Sequence, residues 1–357
     1  MAVLNKIQSG TATIAFAGLT VTVSLGTAID STKAFLWFSS YGDSYGQTTG
    51  GRLAISGYIT TSSSQLVFTR QDTGGSDITI KWYVVEFSSG VSVQRGTATN
   101  VNASTSDISI TSVTLSRSWA QSSIHGAYGW EWGSRQMNTA YLPDSTHIRL
   151  KALNDTNTNT VHWEVIDYDT ATVQTVYTGT LPGGTASGTI SLSSTVDLTK
   201  TIIVGNQFNP ESSFGSPEFE THWWLSATVI NWRRENPYQD RDYAFQVVTL
   251  PGIRAQRGRG TFSTAQTSNT SSIGSTLSDT TKCAAHLTEP AAVIGKPSGA
   301  ESDFNRACTG LSIASTTNMQ INRHSPGGSY TYDVEWELIE YLASRVPDIT
   351  LFASAMY

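Results

Sequence analysis

The sequence contains little charge and almost no cysteine. Charged residues make up 14% of its 357 residues, against ~25% in an average globular domain, and Ser, Thr and Gly take their place. The formal net charge of −6 argues against a general nucleic-acid-binding protein, because such proteins need a basic surface. Two cysteines are too few for a disulfide scaffold. Hydrophobic residues still make up 38% of the chain, which excludes a disordered, highly charged protein.

Long apolar runs and targeting segments are also missing. The sequence has no run of 18 apolar residues, which argues against a membrane-spanning helix. The segment from Met1 to Lys6 lacks the basic and long apolar regions of a signal peptide. We therefore expect a protein that is made and assembled in the cytoplasm and that does not contact a membrane.

Motifs for catalysis, cofactors and metals are not found either. The sequence has no Gly-x-Ser-x-Gly elbow, no phosphate-binding loop and no dinucleotide fingerprint. Its six histidines do not have the spacing of a metal site. The sequence thus predicts a protein that is not an enzyme, with no catalytic, cofactor-binding or metal-binding residues.

What the sequence does contain is an internal repeat. An apolar segment that starts with an aromatic residue recurs four times, at intervals of 81, 82 and 91 residues. The four copies are Trp82–Phe87, Trp163–Tyr168, Phe245–Leu250 and Trp336–Tyr341. Self-similarity with a fixed period indicates that one structural unit has been repeated.

Two further landmarks recur with a similar period. Glycines that follow Gln-Ser, Gln-Arg or Tyr-Thr are 86, 83 and 79 residues apart, at Gly10, Gly96, Gly179 and Gly258. Turns of the form Asp-x-Thr-Lys begin at Asp30, Asp197 and Asp279, and Arg117 takes the lysine position in the second copy. Because three landmarks share one period, we interpret the chain as four copies of one module.

Each copy has the sequence pattern of a small β module. Apolar and polar residues alternate with period two, for example in Thr20–Leu25 and Leu66–Arg70, and turn residues separate such segments. No amphipathic helix of normal length is evident. The sequence predicts an all-β fold of four tandem, small antiparallel β-sandwich modules with about six strands each.

The repeat also predicts where the modules begin and end. The predicted modules are 1–90, 91–173, 174–251 and 252–346, and an apolar C-terminal tail, 347–357, follows them. Because the connections between modules are short, we expect a semi-rigid string of modules.

The opening Ile7-Gln-Ser-Gly10 and the closing Trp82-Tyr-Val-Val-Glu-Phe87 resemble the module of H-type lectins. Fused copies of this kind look like modules of virion proteins from tailed bacteriophages. The resemblance implies a six-stranded antiparallel β-sandwich and, in the lectins, sugar binding and side-by-side trimerisation. It covers nearly the whole chain in four copies.

The same resemblance suggests candidate ligand residues. Sugar binding in that family uses an arginine at a position similar to that of Arg52, Arg135 and Arg306. The favoured alternative is that these arginines pair with carboxylates or carbonyls at module junctions. Trp130 and Trp132 lie in a glycine-flanked segment, where they could form a sugar platform or a protein contact, or pack on the next module.

Two other groups of residues allow structural predictions. Arg70, Arg234 and Arg323 recur at one position, with Ala152 in the second copy, and could pair with the recurrent acids Glu86, Asp167 and Glu340. Cys283 and Cys308 begin two successive predicted strands of the last module, so they could form a disulfide or remain free thiols.

These observations favour a non-enzymatic structural protein of a tailed-bacteriophage virion. We expect it to decorate the capsid or tail through repeated contacts with other virion proteins, as a homo-oligomer or in many copies per particle. The alternative is a carbohydrate-binding receptor or adhesion protein that recognises a host-surface glycan. No cofactor, nucleic acid or membrane is expected as a partner.

Overall fold

The structure is a computed structural model, and it confirms the predicted all-β fold class. It describes residues 2–42, 54–71, 73, 76–101, 106–126, 138–152, 159–208, 220–234, 240–287, 292–294, 309–324 and 331–342. The helical elements in these ranges are three-residue 3-10 turns, Ser31–Lys33, Leu115–Arg117 and Thr280–Lys282. No helix within the same ranges has the length and apolarity to cross a membrane.

Within the described ranges, twenty-five strands fall into four groups along the chain. In module 1, β1–β6 are Val3–Ile14, Thr20–Ser24, Ala34–Gly42, Ser56–Ile59, Gln65–Thr69 and Ile78–Ser89. In module 2, β7–β12 are Val91–Thr99, Ser106–Ser109, Ser118–Gly126, Asn138–Asp144, His147–Ala152 and Asn159–Tyr168. In module 3, β13–β18 are Thr172–Leu181, Ser187–Ser191, Thr201–Phe208, Glu220–Ser226, Val229–Arg234 and Arg241–Thr249. In module 4, β19–β25 are Ile253–Phe262, Ser268–Ser272, Cys283–Leu287, Ala292–Ile294, Gly310–Ser315, Asn318–Asn322 and Thr331–Tyr341.

Each group of strands forms two antiparallel sheets. The inner sheets have the orders β1-β6-β3, β7-β12-β9, β13-β18-β15 and β19-β25-β21, with β22 also on β25. The outer sheets have the orders β2-β5-β4, β10-β11-β8, β14-β17-β16 and β20-β24-β23. The recurrent aromatic segment is therefore the central strand of each inner sheet. The exact module boundaries remain a prediction.

The recurrent glycine allows an aromatic ring to lie flat on the neighbouring strand. Gly96 lies opposite Trp163, and a Cβ at this glycine would stand 2.5 Å from Cζ2 of the indole. The corresponding distances are 2.6 Å from Gly10 to Trp82 and 2.5 Å from Gly258 to Trp336. Any side chain at these positions would displace the ring, which explains why the landmark is glycine.

Module 3 departs from this register. Gly179 lies opposite Tyr243 rather than Phe245, and the residue opposite Phe245 is Tyr177, which follows a bulge after Gln174. The prediction that Gly179 is the equivalent of Gly10 is therefore wrong at the level of strand register. A better landmark is a glutamine whose Nε2 donates to a loop carbonyl in all four modules. The pairs are Gln8–Thr27, Gln94–Thr111, Gln174–Ser194 and Gln256–Ser275, at 2.8, 2.7, 3.0 and 2.8 Å.

The Asp-x-Thr-Lys turns have the same structure wherever they occur. The Asp30 carboxylate accepts from the backbone N–H of Thr32 at 3.0 Å and pairs with Lys33 at 2.8 Å. These contacts lower the pKa of Asp30 to about 2. The turns at Asp197 and Asp279 repeat this arrangement. Each turn ends directly before the third strand of its module. The recurrent sequence therefore marks a recurrent capped turn.

Consecutive modules contact each other through one equivalent residue. We call the interfaces between modules 1 and 2, 2 and 3, 3 and 4, and 4 and 1 the first, second, third and fourth seams. At each of the first three seams, the acceptor is the second residue of the recurrent aromatic segment in the later module. Its side chain accepts a hydrogen bond from a backbone N–H in the third strand of the preceding module. The pairs are Leu36–Glu164, Ala120–Gln246 and Ile203–Glu337, at 3.1, 2.8 and 3.0 Å.

Module 4 also contacts module 1. The backbone N–H of Leu311 donates to Ser39 Oγ at 2.9 Å, and the rings of Trp37 and His286 lie 5.3 Å apart. The ring of Phe87 in β6 lies 5.7 Å from that of Tyr341 in β25. The four modules therefore form a closed cycle, whereas the short connections had led us to expect an open string.

The inner sheets share one core. Trp119 lies between Phe35 and Tyr168, with ring centroids 6.1 and 6.3 Å away, and a single cluster of buried residues includes members from all four modules. Trp82–Phe87 in β6 are all buried, so both faces of this strand are covered. One face packs in its own sandwich and the other packs on the neighbouring modules, as expected for strands with a continuous apolar run.

Candidate functional site

A cleft of about 320 Å³ lies at the third seam. Strands β16 of module 3 and β19 and β25 of module 4 form its walls, and its volume is at the lower end of the ~300–1,000 Å³ typical of ligand sites. The side chains that define its chemistry are Trp223, Trp224, Arg257, Arg259, Glu335 and Glu337.

The two tryptophans are neighbours on β16, so their side chains leave opposite faces of the strand. Trp224 Nε1 donates to Glu337 Oε1 at 3.1 Å, which fixes this ring at the inner side of the seam. The ring of Trp223 lies under two guanidinium groups, 5.1 Å from that of Arg259 and 5.9 Å from that of Arg233. Such cation–π contacts hold an aromatic face in one orientation.

The acids of the cleft are paired with its arginines. Arg259 binds Glu335, and Arg257 lies 3.6 Å from Glu337. These pairs follow from strand register, because Arg257 and Arg259 are the direct partners of Glu337 and Glu335 in the β19–β25 ladder. Burial raises the pKa of both carboxyl groups even though the arginines act in the opposite direction.

This arrangement can bind a ligand. The charges compensate each other, so the cleft has no excess charge with which to select an anion or a cation. It offers an aromatic face beside fixed donors and acceptors, which suits a neutral ligand with many hydroxyl groups. Within the ranges given above, no group of three or more His, Cys, Asp or Glu side chains could hold a metal ion.

The corresponding position of the first seam is filled by protein. Tyr58 on β4 corresponds to Trp223, and its ring stacks on His162 at a centroid distance of 4.3 Å. His162 takes the place of Glu335, and Thr97 takes the place of Arg259. The two seams share backbone geometry but differ in side-chain chemistry.

Most of the site residues predicted from sequence lie outside the described residues. This applies to Arg52, Arg135, Arg306, Trp130, Trp132 and Cys308, and to the tail 347–357. Cys283 is described: it is a buried, free thiol that donates to the carbonyl of Asp279 at 3.2 Å, and burial raises its pKa to about 12. A disulfide with Cys308 remains a prediction.

The recurrent arginines have different partners from those predicted. Arg70, Arg234 and Arg323 are buried and donate to backbone carbonyls of the loop between the first two strands of their module. The Nε bonds are Arg70–Gly18, Arg234–Thr185 and Arg323–Gln266, at 2.8, 3.0 and 2.7 Å. Ala152 takes this position in module 2 and is buried as well. The guanidinium groups thus satisfy loop carbonyls that the sheets leave unpaired.

The recurrent acids bind other cations. Glu86 lies 3.4 Å from Lys6, Asp167 lies 2.7 Å from Arg117, and Glu340 accepts from Arg254 Nε at 2.7 Å. Each also accepts a backbone N–H just before the third strand, from Asp30, Thr114 and Ser278. The predicted pairs of these acids with Arg70, Arg234 and Arg323 are therefore wrong.

The sequence held a signal for the cleft. Asp333, Glu335 and Glu337 are acids at alternate positions of one strand, and Arg257 and Arg259 alternate in the same way in the strand that opens the module. An antiparallel pairing in register brings these charges together.

No protein-family model matches the chain, and no curated protein matches it.

Proposed function

We propose that the chain is a non-enzymatic structural protein of a tailed-bacteriophage virion, which decorates the capsid or tail through repeated protein contacts. The resemblance of its four modules to those of phage virion proteins is the origin of this proposal. The closed cycle of four alike modules supports it, because one rigid chain then presents similar outer sheets in four directions. Several modest contacts on one such body raise overall affinity by ~10²–10⁴ without a single strong site.

The proposal is tested on bacteriophage particles purified from a bacterial host in which the gene for this chain is expressed. We expect mass spectrometry of purified particles to detect the chain in many copies, and cryo-electron microscopy to show density that is missing when the gene is deleted. Absence of the chain from purified particles, or identical density in both preparations, would refute the proposal.

The cleft at the third seam favours a second candidate function, carbohydrate binding. Trp223 is a partly exposed aromatic side chain that lines the cleft, and the adjacent Arg259–Glu335 pair offers fixed donors and acceptors. Sugar rings bind to proteins through apolar contact with an aromatic face and hydrogen bonds to planar polar groups. The cleft combines both in a volume that fits about one or two sugar units.

A glycan array of the purified chain, followed by calorimetry, tests this function. We expect Trp223→Ala to weaken binding of any glycan found by at least about tenfold, which corresponds to ~1.4 kcal/mol. Leu225→Ala is the matched control, since Leu225 is an exposed apolar residue on the same strand, 59% accessible, outside the cleft. If the array shows no binding, or if both variants bind like the unaltered chain, carbohydrate binding at this cleft is wrong.

A further inference from the structure

Two histidines of module 2 lie side by side at the first seam. His125 on β9 and His162 on β12 have ring centroids 6.1 Å apart, with an angle of 24° between the planes. Both touch module 1: His125 Nδ1 is 2.5 Å from Ser56 Oγ, and the ring of His162 stacks on that of Tyr58. The two rings therefore form part of the contact that holds modules 1 and 2 together.

Among the residues that the structure describes, the groups around the pair are neutral or already engaged. From β7, Thr97 Oγ1 lies 3.0 Å from His162 Nδ1, and from β4 the neighbours are Ser56 and Tyr58. Glu164 lies two residues along the same face of β12, where Arg95 binds it at 3.1 Å.

Glu164 also accepts hydrogen bonds from Gln121 Nε2 and from the backbone N–H of Leu36. Its charge is thus committed to the Arg95 pair and to the preceding module. If both histidines are protonated, two positive charges lie on rings whose centroids are 6.1 Å apart, so the two imidazolium groups repel each other. The charges of Arg95 and Glu164 compensate each other, so this ion pair supplies no net negative charge to offset two protonated histidines.

We propose that the first seam is an acid-sensitive joint, in which protonation of His125 and His162 separates β4 of module 1 from β9 of module 2. The mechanism is placement of two like charges between two packed modules. At neutral pH both rings are uncharged and the seam is closed. In acid the two imidazolium groups repel each other and need water, which they obtain when the strands part.

The pKa values of both histidines are lowered in the closed seam, as an acid-sensitive joint requires. Burial lowers the pKa of His125, and burial together with the charge of His125 lowers that of His162 from 6.5 to about 4. The closed state thus binds fewer protons than the open state between these two values. Its stability is complete above pH 6.5 and is lost as the pH falls toward 4. The pair titrates as a coupled unit.

At the third seam, Glu335 takes the place of His162, and burial raises its pKa, so its proton is bound more tightly in the folded state than in the unfolded one. Acid therefore does not weaken the contribution of this carboxyl group to stability. His222 on β16 of the third seam and His286 at the fourth seam are kept neutral by burial, so acid lowers the stability around these two histidines as well. The experiment must therefore locate the opening within the structure.

Hydrogen exchange read by mass spectrometry at pH 7.5 and 5.0, corrected for intrinsic rates, provides this location. For His162 alone, a pKa of about 4 when closed and 6.5 when open predicts an opening equilibrium about thirtyfold larger at pH 5.0. We expect amides of β4 and β9 to lose protection by this factor relative to those of β24, whose partner strands β20 and β23 carry no histidine. In the His125→Asn, His162→Asn double variant, which keeps a polar atom near each Nδ1, the acid-dependent loss should disappear.

His147→Asn is the matched control, because His147 is a partly exposed histidine bonded through Nδ1 to Asp144 on the same module. We expect this variant to respond to acid like the unaltered chain. Three results would overturn the joint: unchanged protection at pH 5.0, an equal loss in all strands, or a loss that persists in the double variant. If the double variant does not fold, the pH response of the unaltered chain and of His162→Asn alone still decides the question.

Discussion

Replacing Trp119 with alanine is expected to lower the free energy of unfolding by about 3–5 kcal/mol, the range for removal of a buried large aromatic side chain. Trp119 is fully buried and lies between Phe35 of module 1 and Tyr168 of module 2. Its loss leaves a cavity in the core that all four modules share. Urea denaturation followed by circular dichroism measures the effect.

Trp119→Phe provides the control for this substitution. It keeps an aromatic ring against Phe35 and removes less volume, so we expect less than half of the loss seen with alanine. The explanation from the shared core fails if Trp119→Ala costs under ~1 kcal/mol, which is the size of an ordinary surface substitution.

The second large effect is expected at the second seam, from Gln246→Glu. Gln246 is fully buried; its Nε2 donates to the carbonyl of Ala120 at 2.9 Å, and its Oε1 accepts from the N–H of the same residue. A carboxylate would face that carbonyl without a donor. We expect a loss of about 3 kcal/mol, typical of a buried charge without a partner, measured by urea denaturation at pH 8.

The first and third seams already have a glutamate at the position of Gln246, and a comparison with them explains why a glutamate would lower the stability of the second seam. Glu164 and Glu337 occupy the equivalent positions of the first and third seams, and each is paired with an arginine, Arg95 or Arg257. In β13 the position that corresponds to these arginines is Thr175, which cannot supply a positive charge.

Gln8→Glu is the matched control for Gln246→Glu. Gln8 makes the same pair of amide contacts, to the carbonyl and N–H of Thr27, but it is partly exposed to water. We expect this control to change the stability by less than ~1 kcal/mol. Equal losses in the two variants would show that burial of the charge is not what matters at Gln246.

The strands and their grouping were predictable because they depend on local pattern. The alternation in Thr20–Leu25 and the recurrence of the aromatic segments gave the all-β class and four modules of about six strands. Asp30 predicted a turn correctly, since its carboxylate caps a residue only two positions away. The register of module 3 was not predictable, because the bulge after Gln174 adds one residue without changing the spacing of the glycines enough to notice.

The partners of the buried arginines were beyond sequence reasoning. Arg70 binds carbonyls of residues more than fifty positions earlier in the chain, and a backbone carbonyl has no sequence signature. The sequence does contain a feature that indicates the contacts between modules in the closed cycle. In Trp336–Tyr341, polar residues are too few for a strand with one wet face, which indicates that both faces are covered.

The contact between Leu311 and Ser39 has a consequence for how the molecule comes apart. A linear array of repeats has two end units with a single neighbour, and these fray first unless special caps protect them. A cycle has no end units, so each module is supported on two sides and none can detach without stripping contacts from two others. Melting should therefore be cooperative across the whole chain rather than proceed inward from the termini.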